Sequence, residues 1–475
     1  MIVHFEYGNG LMAAEIPDTA DVFIPGETIL DPPYLEDLEA ATRESIQHPI
    51  GMPQISELVS AGSKVTISFP DRVKGGFQQN SHRKTSIPIL IAECLKAGVD
   101  ERDILLICSN GLHRKNTNEE IRELLGSEVY DRFMPRHQII NHDSEDWENL
   151  VDLGYDEMGN PVVMNKAVFE SDLAILIGHV LGNPYGGYSG GYKMAATGIT
   201  HWKSIGAHHN PGVMHKSDFT PVSSHSEMRD RFDAIGQHME KKMGRKFLMC
   251  DAVLDTKMRQ IAVFTGYGKE IQPLSWAVAD KRTYIPFAKE KYDIMMFGMP
   301  VNFHYGNGHG TNPILILQAI SANIIRHKRV MKDNCVVICS SICNGYFNDQ
   351  EFPSYRPLYD LFQKHDHNTL PDVEKYGEYF SHNQEFIDKY RYNFGYHPFH
   401  AFSMVSCGHI AEQHCSAIYI VGAHEPGYAR AMGMKTRATF EESLMDARKY
   451  VGPEPKILAL PRTFRTAGVH LTMKE

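Results

Sequence analysis

Short apolar runs alternate along the chain with stretches of helical period, and this alternation predicts βαβ units and an α/β fold. "KVTISF" (Lys64 to Phe69) predicts a strand, and "TSIPILIAECLKAG" the helix behind it. "DILLICSNG" predicts the next strand and "TNEEIRELLG" the next helix, with Thr117 or Asn118 as its N-cap, Glu120 in its first turn and Gly126 at its end. "DLAILIG" (Asp172 to Gly178) predicts a third strand. Near Tyr292 the pattern restarts: "YDIMMFGMP" as a strand, "NPILILQAISANIIRH" as a long helix, and "NCVVICSS" as a strand. "SAIYIVGAH" and "PKILALP" follow as strands, with "TFEESLMDARKY" as the helix between them. The expected organisation is two α/β domains, 1–285 and 286–461, with a tail, 462–475, returning to the first.

A chain of 475 residues exceeds one compact core, in keeping with two domains. The net charge of -10 argues against nonspecific nucleic-acid binding, since no basic field gathers phosphates. No window approaches the apolar length of a membrane span. "MIVHFEYGNG" lacks the basic and apolar regions of a signal peptide, so a cytoplasmic location is expected. Cys335, Cys339 and Cys343 are spaced for one face of a helix but lie in a run that predicts a strand. They are therefore expected to be structural, not a metal site.

In open α/β sheets ligands collect outside the carboxyl ends of strands. Four polar or glycine-rich stretches fall there: "SFPDRVKGG", "SNGLHRKN", "GHVLGNPYGGYSGGYKMAATGITHWKSIGAHHNP" and "GMPVNFHYGNGHGTN". His113 and His179 stand just past strands, where imidazoles could act as base and acid on two faces of a substrate. Lys193 follows a glycine loop, but Tyr192 interrupts the Gly-Lys-Ser/Thr order of a P-loop, and no hydroxyl follows for magnesium. Such a lysine can pair with a phosphate, attack a carbonyl carbon, or simply sit at the surface. Lys203 is expected at the surface. Of His208 and His209, at most one is expected to bind a metal, and neither HExxH nor Cys-x-x-Cys points to zinc.

These pieces, in this order, resemble the nickel-pincer lactate racemase family over most of the chain. "GHVLGNPYGGYSGGYK" is similar to the family's histidine, glycine loop and cofactor-attaching lysine, and "NGLHRKNTNEEIRELLG" to the segment holding its other catalytic histidine. "INHDSED" and "NPVVMNKAVFESDLAILIG" continue the similarity. The resemblance implies a nickel-pincer nucleotide, a pyridinium mononucleotide with thiocarboxylic arms, in a cleft between the domains. It implies Lys193 as covalent anchor, Ser189, Gly190 and Gly191 as cofactor-binding residues, and His209 as the ligand to nickel. His113 and His179 would be the paired acid and base in inversion of a 2-hydroxy acid by hydride transfer. Enzymes that make the cofactor would be partners.

Two departures bear on substrate. The family's Asp-x-x-Arg becomes a longer segment in which Asp71 matches but the substrate-facing cation could be Arg72, Lys74 or Arg83. The family's Gln-x-x-Lys becomes Gln318 with Ser321 in place of lysine. Together with the polar run Asn302, His304, Asn307 and His309, this favours a larger or more hydroxylated acid than lactate, such as a sugar acid. Alternatives from the same residues are a histidine-metal hydrolase or isomerase, and a catalytically silent nucleotide-binding relative.

Overall fold

The computed structural model describes residues 1–74, 81–185, 187–214, 226–363 and 369–474. Part of the lengthened segment after Lys74, and Gly186 of the glycine loop, lie outside these residues. The fold is α/β. In chain order its strands are β1 (Ile2–Gly8), β2 (Gly10–Glu15), β3 (Asp21–Val22), β4 (Val65–Pro70), β5 (Ile104–Ser109), β6 (Ile139–Asn141), β7 (Leu150–Tyr155), β8 (Pro161–Asn165) and β9 (Leu173–Val180). There follow β10 (Leu248–Leu254), β11 (Gln260–Tyr267), β12 (Tyr284–Ala288), β13 (Tyr292–Pro300), β14 (Met331–Ser340), β15 (Cys415–Val421), β16 (Lys435–Arg437), β17 (Ile457–Leu460) and β18 (His470–Met473).

One sheet has the order β11-β10-β9-β4-β5-β6 and is parallel except at the β10–β11 pair. The other runs β16-β15-β14-β13-β1-β2, with β17 joining β13 to β3. β13 is buried at every position, which is why it reads as an unbroken apolar run: a parallel strand covered on both faces has no polar side. The strand nature of "NCVVICSS" holds as β14, and Cys335, Cys339 and Cys343 are buried free thiols. The helix Asn118–Leu125 is capped by Thr117, with Glu120 completing a capping box and Gly126 at its end.

The division at residue 285 needs a correction in one place. Residues 2–22 fall within the expected first domain, yet β1 pairs with β13 and β3 with β17, in the second sheet. β1 pairs locally with β2, but its other edge is completed by β13, far along the chain, so local pattern could not assign the hairpin to a sheet. β18 of the tail pairs with β12, and Ala467 N donates to Thr256 O at 2.9 Å. The two sheets share one contiguous apolar core, in which Leu176 and Met249 join Met295 and Phe297. No helix among the described residues is long and apolar enough to cross a membrane.

Candidate active site

The carboxyl ends of β4, β5, β9 and β13 open onto a cavity of about 460 Å³, within the usual range of small-ligand sites. His113, His179, Lys193 and His209 all line it, with Arg72, Lys74, Ser189 and Gln318. His304 and His309 line it as well, and so do His400, Arg326 and the tail residues Thr463 to Gly468. Five basic side chains (Arg72, Lys74, Lys193, Arg326 and Arg465) face this space, and no carboxylate does among the described residues. Arg72 is already paired with Glu120 at 3.4 Å and Glu351 at 3.6 Å, and Arg465 with Glu6 at 2.7 Å. Among the described residues Lys74, Lys193 and Arg326 are therefore the lining cations without a carboxylate partner and the ones open to an anion.

Hydrogen bonds fix the state of each histidine. His113 Nδ1 lies 2.6 Å from Asp71 Oδ2. Burial alone would raise Asp71, but the charges of His113, Lys74 and Arg72 hold it well below the usual carboxylate range. An ionised carboxylate only accepts, so Nδ1 of His113 carries the proton and Nε2 is left for the cavity. Burial pushes His113 below its ordinary value, against the pull of Asp71. His179 Nδ1 donates to the carbonyl of Lys74 at 2.9 Å, and its buried Nε2 has no hydrogen-bond partner. Burial, then the charges of Arg83 and His82, push His179 well below its ordinary value, so this Nε2 holds a bare lone pair.

The adjacent pair is resolved by the same logic. His208 Nε2 donates to Ala196 O at 3.3 Å, so its Nδ1 is an acceptor in the neutral ring. His209 Nδ1 lies 2.6 Å from that nitrogen and must donate to it. His209 Nε2 is thereby left unprotonated, the form that binds metals, with His208 setting its tautomer. No group of three or more His, Cys, Asp or Glu side chains among the described residues is placed to hold a metal ion. Among the described residues His209 is therefore not part of a complete metal-binding set.

Lys193 stands in the first turn of the short helix Tyr192–Gly198. Burial, then the nearby charges of Lys74 and Arg229, lower its amine from 10.5 to about 7, so a large share is the nucleophilic free base near neutrality. The glycines before it are packed from behind. Gly190 and Gly191 are absent from the cavity lining. Both have positive φ, at 79° and 56°. A Cβ on Gly190 would lie 2.9 Å from Asp251 Oδ2, and one on Gly191 would collide with Gln272. Gly191 N donates to Asp251 Oδ2 at 2.8 Å, and Arg229 donates to the carbonyls of Tyr188 and Gly190. The loop is therefore clamped from behind, and this aims Lys193 forward. Ser189 lines the cavity, but its hydroxyl bonds His179 O at 2.6 Å and closes the loop on β9.

The three candidate cations separate. Arg83 is buried off the cavity, where it donates to the carbonyls of Pro70, Asp71 and Lys74 and holds that turn. Arg72 and Lys74 line the cavity. Arg72 also reaches Tyr305 O at 3.3 Å, and Lys74 Nζ donates to Ser109 O at 2.6 Å. Asp71, expected at the substrate, does not line the cavity; its carboxylate meets His113 instead. Gln318 Nε2 donates to Tyr185 OH at 2.9 Å, in the wall of the site. Ser321 is buried away from the lining with its hydroxyl unpartnered, and Asn302 and Asn307 are exposed outside it. Lys203 is exposed, over Trp202.

His400 was not anticipated. Its Nδ1 lies 2.7 Å from Tyr355 OH, its Nε2 is buried without a partner, and its ring centre is 5.7 Å from that of His113. It sits in the helix Pro398–His414, buried nearly throughout, so no periodicity singles it out.

The lactate racemase N-terminal domain matches residues 7–220. A lactate racemase of Lactiplantibacillus plantarum is 28% identical over 172 residues, 36% of this chain and 38% of that protein. One of Thermoanaerobacterium thermosaccharolyticum is 22% identical over 268 residues, 56% of this chain and 60% of the relative. The aligned stretch thus spans less than two thirds of either relative. The structure of the lactate racemase apoprotein from T. thermosaccharolyticum covers 100% of both chains, with a TM-score of 0.72 at 18% identity. A Thermotoga maritima protein covers 93% of this chain with a TM-score of 0.56 at 14% identity. The chain is accordingly lactate racemase-like, in its N-terminal sequence and in its fold from end to end.

Proposed function

We propose that this protein is a racemase or epimerase that inverts C2 of a 2-hydroxy acid, using a nickel-pincer nucleotide held in the cavity between the two expected domains. The observation that carries the reading is one cavity holding an amine lowered to about 7 (Lys193), a histidine nitrogen bared for metal (His209) and two histidines with free Nε2 atoms (His113 and His179). The residues fit the group: an anionic nucleotide suits a lining of cations without carboxylates, and a pincer supplies the donors that His209 lacks. Lys193 would hold it covalently, and His209 would bind the nickel. When bound, the group would supply an acceptor for the Cα hydrogen, which is a poor proton but can leave as hydride once the hydroxyl proton is taken.

The chain's own groups do the rest. Arg72 or Lys74 meets the substrate carboxylate. The Nε2 of one histidine takes the hydroxyl proton on one face, and the other histidine serves the opposite face, as inversion requires. Asp71 and the Lys74 carbonyl keep both rings in the working tautomer. Ser321 in place of a cation, with His309 Nε2 buried and unpartnered in the lining, supports a substrate larger or more polar than lactate, because a buried polar group left unpaired costs about 1–3 kcal/mol. Enzymes that build the nucleotide are the partners this reading needs.

The test is intact-mass analysis of the chain co-produced with cofactor-making enzymes, followed by a panel of 2-hydroxy acids in deuterated water. A cofactor-sized adduct on Lys193, with inversion and little deuterium at C2, is expected. An unmodified chain would refute the cofactor, and full deuteration would refute hydride return.

A further inference from the structure

The wall of the cavity formed by the helix Pro313–His327 ends in a cation that the reaction above leaves unused. Ala319, Ala322 and Arg326 lie along one stripe of that helix, with Gln318 at its edge, and all four line the cavity. Gln318 and Arg326 are about 12 Å apart along the axis, and the alanines between them leave the wall smooth. Arg326 Nε is buried without a hydrogen-bond partner, and no carboxylate among the described residues pairs with this guanidinium. The titratable groups it interacts with are Tyr185, Arg282, His304, His327 and His470, none of them a carboxylate. Arg282 Nη1 donates to Gly468 O at 2.9 Å, and its Nη2 is likewise buried and unpartnered. Gly468 separates the two arginines, and any side chain there would strike Arg326. Both nitrogens of His470, behind Gly182 of the lining, also lack partners.

Burial costs an unpaired guanidinium heavily unless an anion arrives with the ligand. We infer that Arg326 receives an oxyanion at the far end of the ligand, delivered as the second carboxylate of a dicarboxylic 2-hydroxy acid. This rests on the hydroxy-acid reading above and narrows it. The acid's C2 end lies among His113, His179 and Arg72 or Lys74. Its chain runs along Ala319 and Ala322, and its other carboxylate reaches Arg326. Phosphate shares the same chemistry, so the source has to be separated by experiment.

Calorimetric titration of the full chain, with and without co-produced cofactor, would compare gluconate, glucarate, inorganic phosphate and nicotinic acid mononucleotide. Glucarate is expected to bind about 10- to 100-fold more tightly than gluconate, the worth of one hydrogen-bonded charge. Arg326→Gln should abolish that preference, with gluconate losing far less affinity than glucarate, while Arg326→Lys keeps part of it and guards against a misfolded Gln variant. Equal binding of the two acids would overturn the inference, as would a loss in Arg326→Gln confined to phosphate or the mononucleotide. Because binding is read apart from turnover, a chain that takes no cofactor but prefers glucarate would sink the reaction and spare this site. A chain that epimerises gluconate and glucarate alike would do the reverse.

Discussion

The carbonyl oxygen of Lys74 lies 2.9 Å from Nδ1 of His179, three residues beyond the Asp71 carboxylate that holds His113. Both candidate histidines are thus oriented from one turn, which Arg83 in turn holds through three carbonyls. Neither ring can present Nδ1 to a substrate, and both can present Nε2.

His113→Ala and His179→Ala should each lower inversion by about 10² to 10⁴-fold, the usual contribution of a positioned acid or base. Adduct formation on Lys193 should be unaffected. Chiral chromatography reads the first effect and intact mass the second. A variant with near-normal turnover would return its residue to a structural role.

Asp71→Asn keeps the size of the side chain and removes its charge. Activity should fall less than in His113→Ala. The Asp71 charge raises His113, so its loss should move the acid limb of the pH profile to lower pH. An unmoved limb would show that Asp71 does not act through His113.

Lys193→Met should leave the chain unmodified when it is co-produced with the cofactor-making enzymes. It should also stabilise the cofactor-free fold at neutral pH. The native amine titrates near 7 and the unfolded one near 10.5, so between these values the unfolded chain holds a proton that the folded chain lacks. Wild-type stability from this group therefore rises as pH climbs across that window, and the advantage of Met should shrink. Urea midpoints at pH 7 and pH 10 would test this, and an advantage independent of pH would contradict it.

Gly191→Ala should cost about 1–3 kcal/mol or more, because its φ of 56° is strained for any other residue and a Cβ there meets Gln272. Since Gly191 caps the helix that starts at Tyr192, the same variant should slow acylation of Lys193 by a small amine-directed reagent. Unchanged stability would mean the loop can relax without its clamp.

Much of this was legible from local pattern. β13 is buried on both faces and so spells itself as apolar sequence, and Thr117 declares its helix through a capping box. His113 and His179 stand at strand ends, where sequence can point, and Lys193 opens the helix behind the glycine loop. What could not be seen depends on distant partners. Nothing local to Gly190 and Gly191 announces Asp251 and Gln272, which pack behind them. Arg326 reads as an ordinary cation near a helix C-terminus, where one is favoured anyway. His400 belongs to a helix with no polar face to contrast with it.

The pairing of Tyr7 with Met299 has a consequence for how the protein is made. At ribosomal speeds of about 5–20 residues per second, β1 waits roughly 15–60 s for β13 to be synthesised. Until then β1 and β2 form a lone hairpin, which is marginal in water and offers an open edge to other chains. A fragment ending near residue 285 would keep that edge permanently, so it should aggregate even if its own sheet folds. The nascent chain should likewise depend on a chaperone that shields this hairpin through the delay.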